Sequence, residues 1–178
     1  MSPDDQSIIS RLCLRCGICC RGTLFKDVEL QPGDDPARLA QLGLPLTKRR
    51  RGVLFAQPCA ALGADCRCRI YADRPRRCRQ FDCDLLQSVM AGKTELAVAR
   101  RIIRRARRQA KTVERELAAL GGDDSSAPLP SRFRRLKRRL ESGAYDQETA
   151  RRFADLTVAF HELMLSLREF FYAGRDRG

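Results

Sequence analysis

Cys13-Leu14-Arg15-Cys16-Gly17-Ile18-Cys19-Cys20 puts four thiols into eight residues. A C-x-x-C step curls the backbone so that two sulfurs can converge on one metal. Cys19 repeats the step. C-x-x-C-x-x-C also opens bacterial ferredoxin iron–sulfur sites. The stretch therefore reads as a metal site without naming the metal. Its competitors are a disulfide scaffold and buried structural thiols.

Five more cysteines, Cys59, Cys66, Cys68, Cys78 and Cys83, lie in a short second block. A metal held by both blocks would close the loop between them. The nine cysteines make an odd count, so full disulfide pairing would leave one thiol over. The second block is rich in arginine: Arg67, Arg69, Arg74, Arg76, Arg77 and Arg79. Guanidinium groups beside thiols lower their pKa values and offset the negative charge of a thiolate site. An anionic ligand is the other use of these arginines. Asp82 and Asp84 flank Cys83 and read as turn residues rather than ligands.

Cys-x-x-Cys-Gly-x-Cys-Cys at 13–20 is followed by Pro58-Cys59. Further on come Cys68-x-Ile70-Tyr71-x-x-Arg74-Pro75-x-x-Cys78 and Arg79-x-Phe81-x-Cys83. This ordered pair of blocks resembles the YkgJ-type cysteine-cluster family, the CxxCxxCC zinc- or iron-chelating domain. The resemblance implies metal chelation by Cys13, Cys16, Cys19, Cys20, Cys59, Cys68, Cys78 and Cys83, and no settled reaction. The implied cofactor is zinc or iron, the iron as ions or as a 4Fe-4S cluster. Cys66 is extra to the pattern.

The chain of 178 residues is long enough for one domain with a sizeable core and an appended helical part. Its start, Met-Ser-Pro-Asp-Asp-Gln-Ser, lacks the basic-then-apolar order of a secretory signal. No run of about twenty apolar residues suits a membrane span. These features predict a cytoplasmic protein with reduced thiols and no membrane partner. The net charge of +13 invites an anionic partner such as RNA. Arginine dominates the basic residues, a bias that GC-rich codon usage also produces, so the charge signal is discounted.

After Cys20, alternating apolar residues over Thr23–Leu30 predict an extended segment ending at the Pro32-Gly33 turn. Asp34 or Asp35 caps a short helix with Pro36 in its first turn, Leu39 and Leu42 inward and Gly43 at its end. Lys48-Arg49-Arg50-Arg51 reads as a solvated loop. Val53-Leu54-Phe55 reads as a short strand. A short helix follows over Asp84–Met90.

Thr94 is the expected N-cap of the clearest helix. Leu96, Ala99, Ile103, Ala106, Ala110, Val113, Leu117 and Leu120 recur at steps of three and four, a heptad seam. Gly121-Gly122 ends it. Its other face carries candidate nucleic-acid-binding residues Arg100, Arg101, Arg104, Arg105 and Arg108. A plain solvated face is the simpler reading, because no aromatic residue interrupts the arginines.

Ser131 is the expected cap of a short helix bearing Phe133, Leu136 and Leu140. Asp146 caps the last helix, whose seam is Phe153, Leu156, Phe160, Leu163, Leu167 and Phe170. Gly174 is its expected stop. The two long seams want each other, or else a second copy. The expected fold is mainly α: an irregular cysteine-rich domain with short strands, followed by a long antiparallel helical hairpin. The boundaries are 1–92 for the cysteine-cluster domain and 93–178 for the helical region packed on it. The chain is a monomer or a homodimer through the helical seam.

Catalytic signals are absent. The single histidine, His161, sits beside the last seam with no nucleophile or acid nearby in sequence. There is no glycine-rich phosphate loop, and the spacing differs from the Cys-x-x-x-Cys-x-x-Cys of radical-SAM enzymes. The first expectation is a metal-chelating protein. The alternatives are an iron–sulfur redox protein or enzyme acting on protein or RNA, and a basic nucleic-acid-binding protein with structural zinc.

Overall fold

Gly17 interrupts the first helix. In the computed structural model of the protein, residues 12–50, 52–122 and 124–173 are described, and residues 12–16 form helix α1. Gly17 takes a left-handed conformation, φ 67°, and a 3-10 turn, Ile18–Cys20, follows it. Leu12 and Ile18 are buried. Both anchor the first cysteine block to the helical core.

A three-stranded antiparallel sheet follows, β1 (Asp27–Glu29), β2 (Leu46–Arg49) and β3 (Gly52–Ala56), in the order β1-β3-β2. Val28 and Leu46 both pair with Phe55, the buried centre of the sheet. The expectation of a loop at Lys48 to Arg51 is corrected for Lys48 and Arg49; Arg50 lies in a turn as expected, and Arg51 lies outside the described residues. Thr47, Lys48 and Arg49 are exposed residues of an edge strand. Charged side chains suit an edge because they discourage pairing with another chain. Helix α2 (Pro36–Gln41) starts as its sequence predicts, with the Asp35 carboxylate accepting from the Arg38 N–H at 2.9 Å. Leu39 and Leu44 join Val28, Phe55, Ala61 and Ile70 in a small core of their own.

Helices α3 (Arg76–Gln80) and α4 (Asp84–Met90) lead into the long helices α5 (Leu96–Ala119), α6 (Leu129–Glu141) and α7 (Gln147–Phe170). The α5 seam is buried from Ala99 to Leu117, and the α7 seam from Leu156 to Leu167. Leu96, Leu120, Phe153 and Phe170 are partly buried at the ends of these seams. Arg152, in the second turn of α7, pairs with Glu116 near the end of α5, as antiparallel packing requires. The two long helices make the hairpin that the heptad pattern predicts. Phe133 of α6, in the connection between the long helices, stacks on Phe160 of α7 with ring centroids 4.0 Å apart.

Two expected caps are corrected. The N-cap of α5 is Glu95, while Thr94 Oγ1 lies 2.6 Å from Ser88 Oγ and ties α4 to α5. Helix α6 begins at Leu129, two residues before Ser131, because Pro130 is preset for a first helical turn. The Leu129 N–H donates to the Gly22 carbonyl at 2.9 Å, which fastens the start of α6 to the cysteine block. Asp146 caps α7 as expected, accepting from the Thr149 N–H at 2.7 Å. The expected stop at Gly174 lies outside the described residues.

The helical core takes in Leu12, Ile18, Leu85 and Leu86 together with the seams of α5 and α7. Leu163 is fully buried within it. Leu163→Ala is expected to cost about 2–5 kcal/mol, through lost burial and the cavity left behind. Urea unfolding checks this as a lower midpoint with an unchanged slope.

Candidate metal centre

The first block reaches the site because Gly17 turns the chain. A side chain at Gly17 would meet Cys66 Cβ at 3.0 Å and the Cys66 carbonyl oxygen at 3.2 Å. The left-handed backbone and the close approach both require glycine. Gly17→Ala carries about 1–2 kcal/mol of backbone cost alone, and the contact with Cys66 adds to it. The expected result is a lower melting temperature together with reduced bound metal. A variant as stable and as metal-loaded as the parent would show that this turn does not shape the site.

The second block is brought to the first by a backbone bond. After the cis peptide Gln57–Pro58, the Cys59 N–H donates to the Cys20 carbonyl at 2.8 Å. Leu62 and Cys68 form a bridge that folds the block back on itself. Arg21 donates to both carboxylate oxygens of Glu114 and, at 3.5 Å, to Cys66 Sγ. It thus ties the first block to α5 and to the ninth cysteine.

The result is one cavity of about 440 Å³. Cys13, Cys16, Cys19, Cys20, Cys68, Cys78 and Cys83 line it. Cys59 is not in the lining and sits against Cys20 through the backbone bond. Cys66, extra to the sequence pattern, does line the cavity, buried against Gly17 with φ 66°. All nine cysteines are free thiols. As they stand, no three of the described His, Cys, Asp or Glu side chains are close enough together to hold one ion. The donor chemistry nevertheless fits zinc or iron, since soft thiolates select both. Closing on an ion requires cysteine side chains to rotate, and cysteine has a single χ angle to turn. Gln57, also lining the cavity and 2 % exposed, has an Oε1 with no hydrogen-bond partner among the described residues.

Electrostatics set the protonation of the free thiols. Burial, with the neighbouring Cys83 and Cys19, pushes Cys13 up to about 12. Burial and the same kind of neighbours push Cys78 to about 12, and burial above all pushes Cys83 to about 11. Burial likewise raises Cys16, Cys59 and Cys68. Cys19 and Cys20 have sulfurs 3.7 Å apart. The hydrogen bond from Cys20 lowers Cys19, and the same bond raises Cys20. The expectation that the arginines lower these thiols is met only in part. Arg74 draws down Cys13, Cys19, Cys68 and Cys78, but burial outweighs it at all four; Cys19 is lowered overall because of its hydrogen bond from Cys20.

Of the six arginines in the second block, Arg74 and Arg77 line the cavity. Arg74 stacks on the Tyr71 ring at 3.6 Å and donates to the Tyr71 carbonyl at 3.0 Å, which fixes its charge beside the thiols. This pairing is what the Tyr71-x-x-Arg74 spacing encodes, and only the fold reveals it. Three of the others hold the loop: Arg67 pairs with Asp65, Arg69 donates to the Ala60 carbonyl, and Arg76 donates to the Pro32 carbonyl at 3.4 Å. Asp82 lies beside Cys13 and Cys83, and its own carboxyl is raised by burial. Asp84 begins α4, with Cys83 as the N-cap.

The candidate nucleic-acid residues Arg100, Arg101, Arg104, Arg105 and Arg108 are exposed on α5 and do not line the cavity. Their neighbour Arg107 donates to the Arg15 carbonyl at 3.2 Å, a structural use of this face. His161 is exposed on α7. Among the described residues, no helix is long and apolar enough to cross a membrane.

Comparison with curated proteins and with solved structures finds no match. A family signature, described as "CxxCxxCC: Putative zinc- or iron-chelating domain", covers residues 12–101. That span is half of the chain and holds every cysteine around the cavity. The chain belongs to the CxxCxxCC family of zinc- or iron-chelating domains.

Proposed function

We propose that this protein holds zinc or iron through the thiolates of Cys13, Cys16, Cys19, Cys20, Cys59, Cys68, Cys78 and Cys83, with the metal as part of its folded structure. One observation carries this reading. Two cysteine blocks separated by a sheet converge on a single cavity, with seven of these thiols in its lining and Cys59 bonded to Cys20. Residues 1–92 are the chelating part, and 93–178 the helical platform to which Leu12, Ile18, Leu85 and Leu86 fasten it. Thiol ligation on this scale suits a reducing compartment such as the cytoplasm.

The experiment is metal analysis and a visible spectrum of protein purified without oxygen. Stoichiometric zinc without colour supports a structural chelating module. Iron supports the same reading with a redox-active metal. Folded protein that contains neither metal, and takes up neither when offered, overturns it.

A second reading, an iron–sulfur centre, is favoured by the run Cys13-x-x-Cys16-x-x-Cys19. Its three sulfurs share the cavity with Cys83, the kind of ligand set that opens a ferredoxin site. Acid-labile sulfide and a visible absorbance bleached by dithionite would support it. Colourless zinc protein would dismiss it.

A further inference from the structure

The thiols are not equivalent in their surroundings. Cys13, Cys16 and Cys83 pack against the helical core. Cys59, Cys68 and Cys78 pack against the separate small core under the sheet. Cys19 and Cys20 stand between the groups in the 3-10 turn. With about three residues per turn, successive side chains of such a turn leave the axis about 120° apart. The Cys19 and Cys20 sulfurs nevertheless lie 3.7 Å apart, so the two groups meet at this step. The Cys59 N–H bond to the Cys20 carbonyl holds Cys20 on the sheet side.

We propose that the eight thiols form two four-thiolate metal sites that meet at the Cys19–Cys20 step. Cys13, Cys16, Cys19 and Cys83 hold one metal on the helical side. Cys20, Cys59, Cys68 and Cys78 hold another on the sheet side. This rests on the chelation reading above and divides its ligands.

Two divalent tetrathiolates carry about four surplus negative charges, counting each thiolate ligand as one. Arg74 and Arg77 line the same cavity, and the Arg74 guanidinium is fixed on the Tyr71 ring beside the thiols. Cys66 belongs to neither set; its sulfur accepts from Arg21 and its Cβ packs on Gly17.

The test is a cobalt(II) titration of the full chain, stripped of metal and kept reduced, read by the thiolate-to-cobalt absorption. The parent is expected to take two equivalents. The double variant Cys13→Ser, Cys83→Ser is expected to lose one equivalent and keep the other, and Cys68→Ser, Cys78→Ser to do the same. A parent that takes a single equivalent overturns the division while leaving chelation intact. A parent that takes none overturns both. Because a double variant can fail to fold, the parent is also titrated with a chelator to half release, and its exposed thiols are alkylated and mapped. Joint labelling of Cys13, Cys16, Cys19 and Cys83, or of Cys20, Cys59, Cys68 and Cys78, supports two sites. Uniform labelling of all eight overturns them.

Discussion

Removing the metal is expected to unfold the cysteine-rich half and leave the helical hairpin standing. The two halves are held by different means. The helical core joins the seams of α5 and α7 with Phe133, Leu136 and Phe171 in a large apolar cluster. The sheet region has a core of only six buried residues, Val28, Leu39, Leu44, Phe55, Ala61 and Ile70. A core that small leaves the segment from β1 to α3 dependent on another source of order, and a structural metal supplies one: zinc contributes about 10–16 kcal/mol of folding free energy in small zinc-finger peptides. After exhaustive chelation under reducing conditions, circular dichroism should retain strong helical signal. Limited proteolysis should cut between about residues 24 and 80 and spare α5 and α7. An unchanged cleavage pattern on the metal-free chain would refute a metal-dependent fold. The effect should reverse when zinc or iron is returned.

Much of this arrangement was legible in the sequence, for physical reasons that differ by region. The heptad seams of α5 and α7 were readable because a long amphipathic helix repeats its signal over many turns, and each buried position repeats the message. The Asp35 and Asp146 caps were readable because the side-chain acceptor and the first turn lie within a few residues. Where two neighbouring residues offered competing starts, local rules misplaced the boundary. Thr94 is a good N-cap by type, yet its hydroxyl is engaged with Ser88 across the α4–α5 junction. Ser131 lost its place to the Pro130 turn. The edge strand β2 was hidden because its exposed Thr47, Lys48 and Arg49 lack the alternation that marks a half-buried strand.

The site was legible as a ligand set and illegible as a geometry. Cysteine spacing identified the thiols, since ligation demands particular atoms at short intervals. It carried no information on Cys66, whose place is decided by its contact with Gly17 and by Arg21. Nor could it weigh Arg74 against burial. An arginine near a thiol is visible in sequence, while the loss of water around Cys13 or Cys78 depends on how β1, Phe25, Phe81 and Phe171 close over the cavity. The division of the thiols between two apolar cores is likewise a product of tertiary packing. Only the vicinal pair Cys19-Cys20 hinted at it, because neighbouring side chains leave the backbone in different directions.

Acidification is expected to weaken metal binding steeply. The metal-free thiols are held above their ordinary value of 9.0, at about 12 for Cys13 and Cys78 and about 11 for Cys83. Near neutral pH they are therefore protonated, and each must lose its proton to become a ligand. Every proton displaced makes the apparent affinity fall about tenfold per unit drop in pH, or about 1.4 kcal/mol. Four thiols at one site set a ceiling of about ten-thousandfold per unit. Cys19, whose value is lowered, contributes least. Competition against a chelator of known proton affinity, at several pH values from about 8 to about 6, measures the slope; a flat profile would exclude thiol ligands.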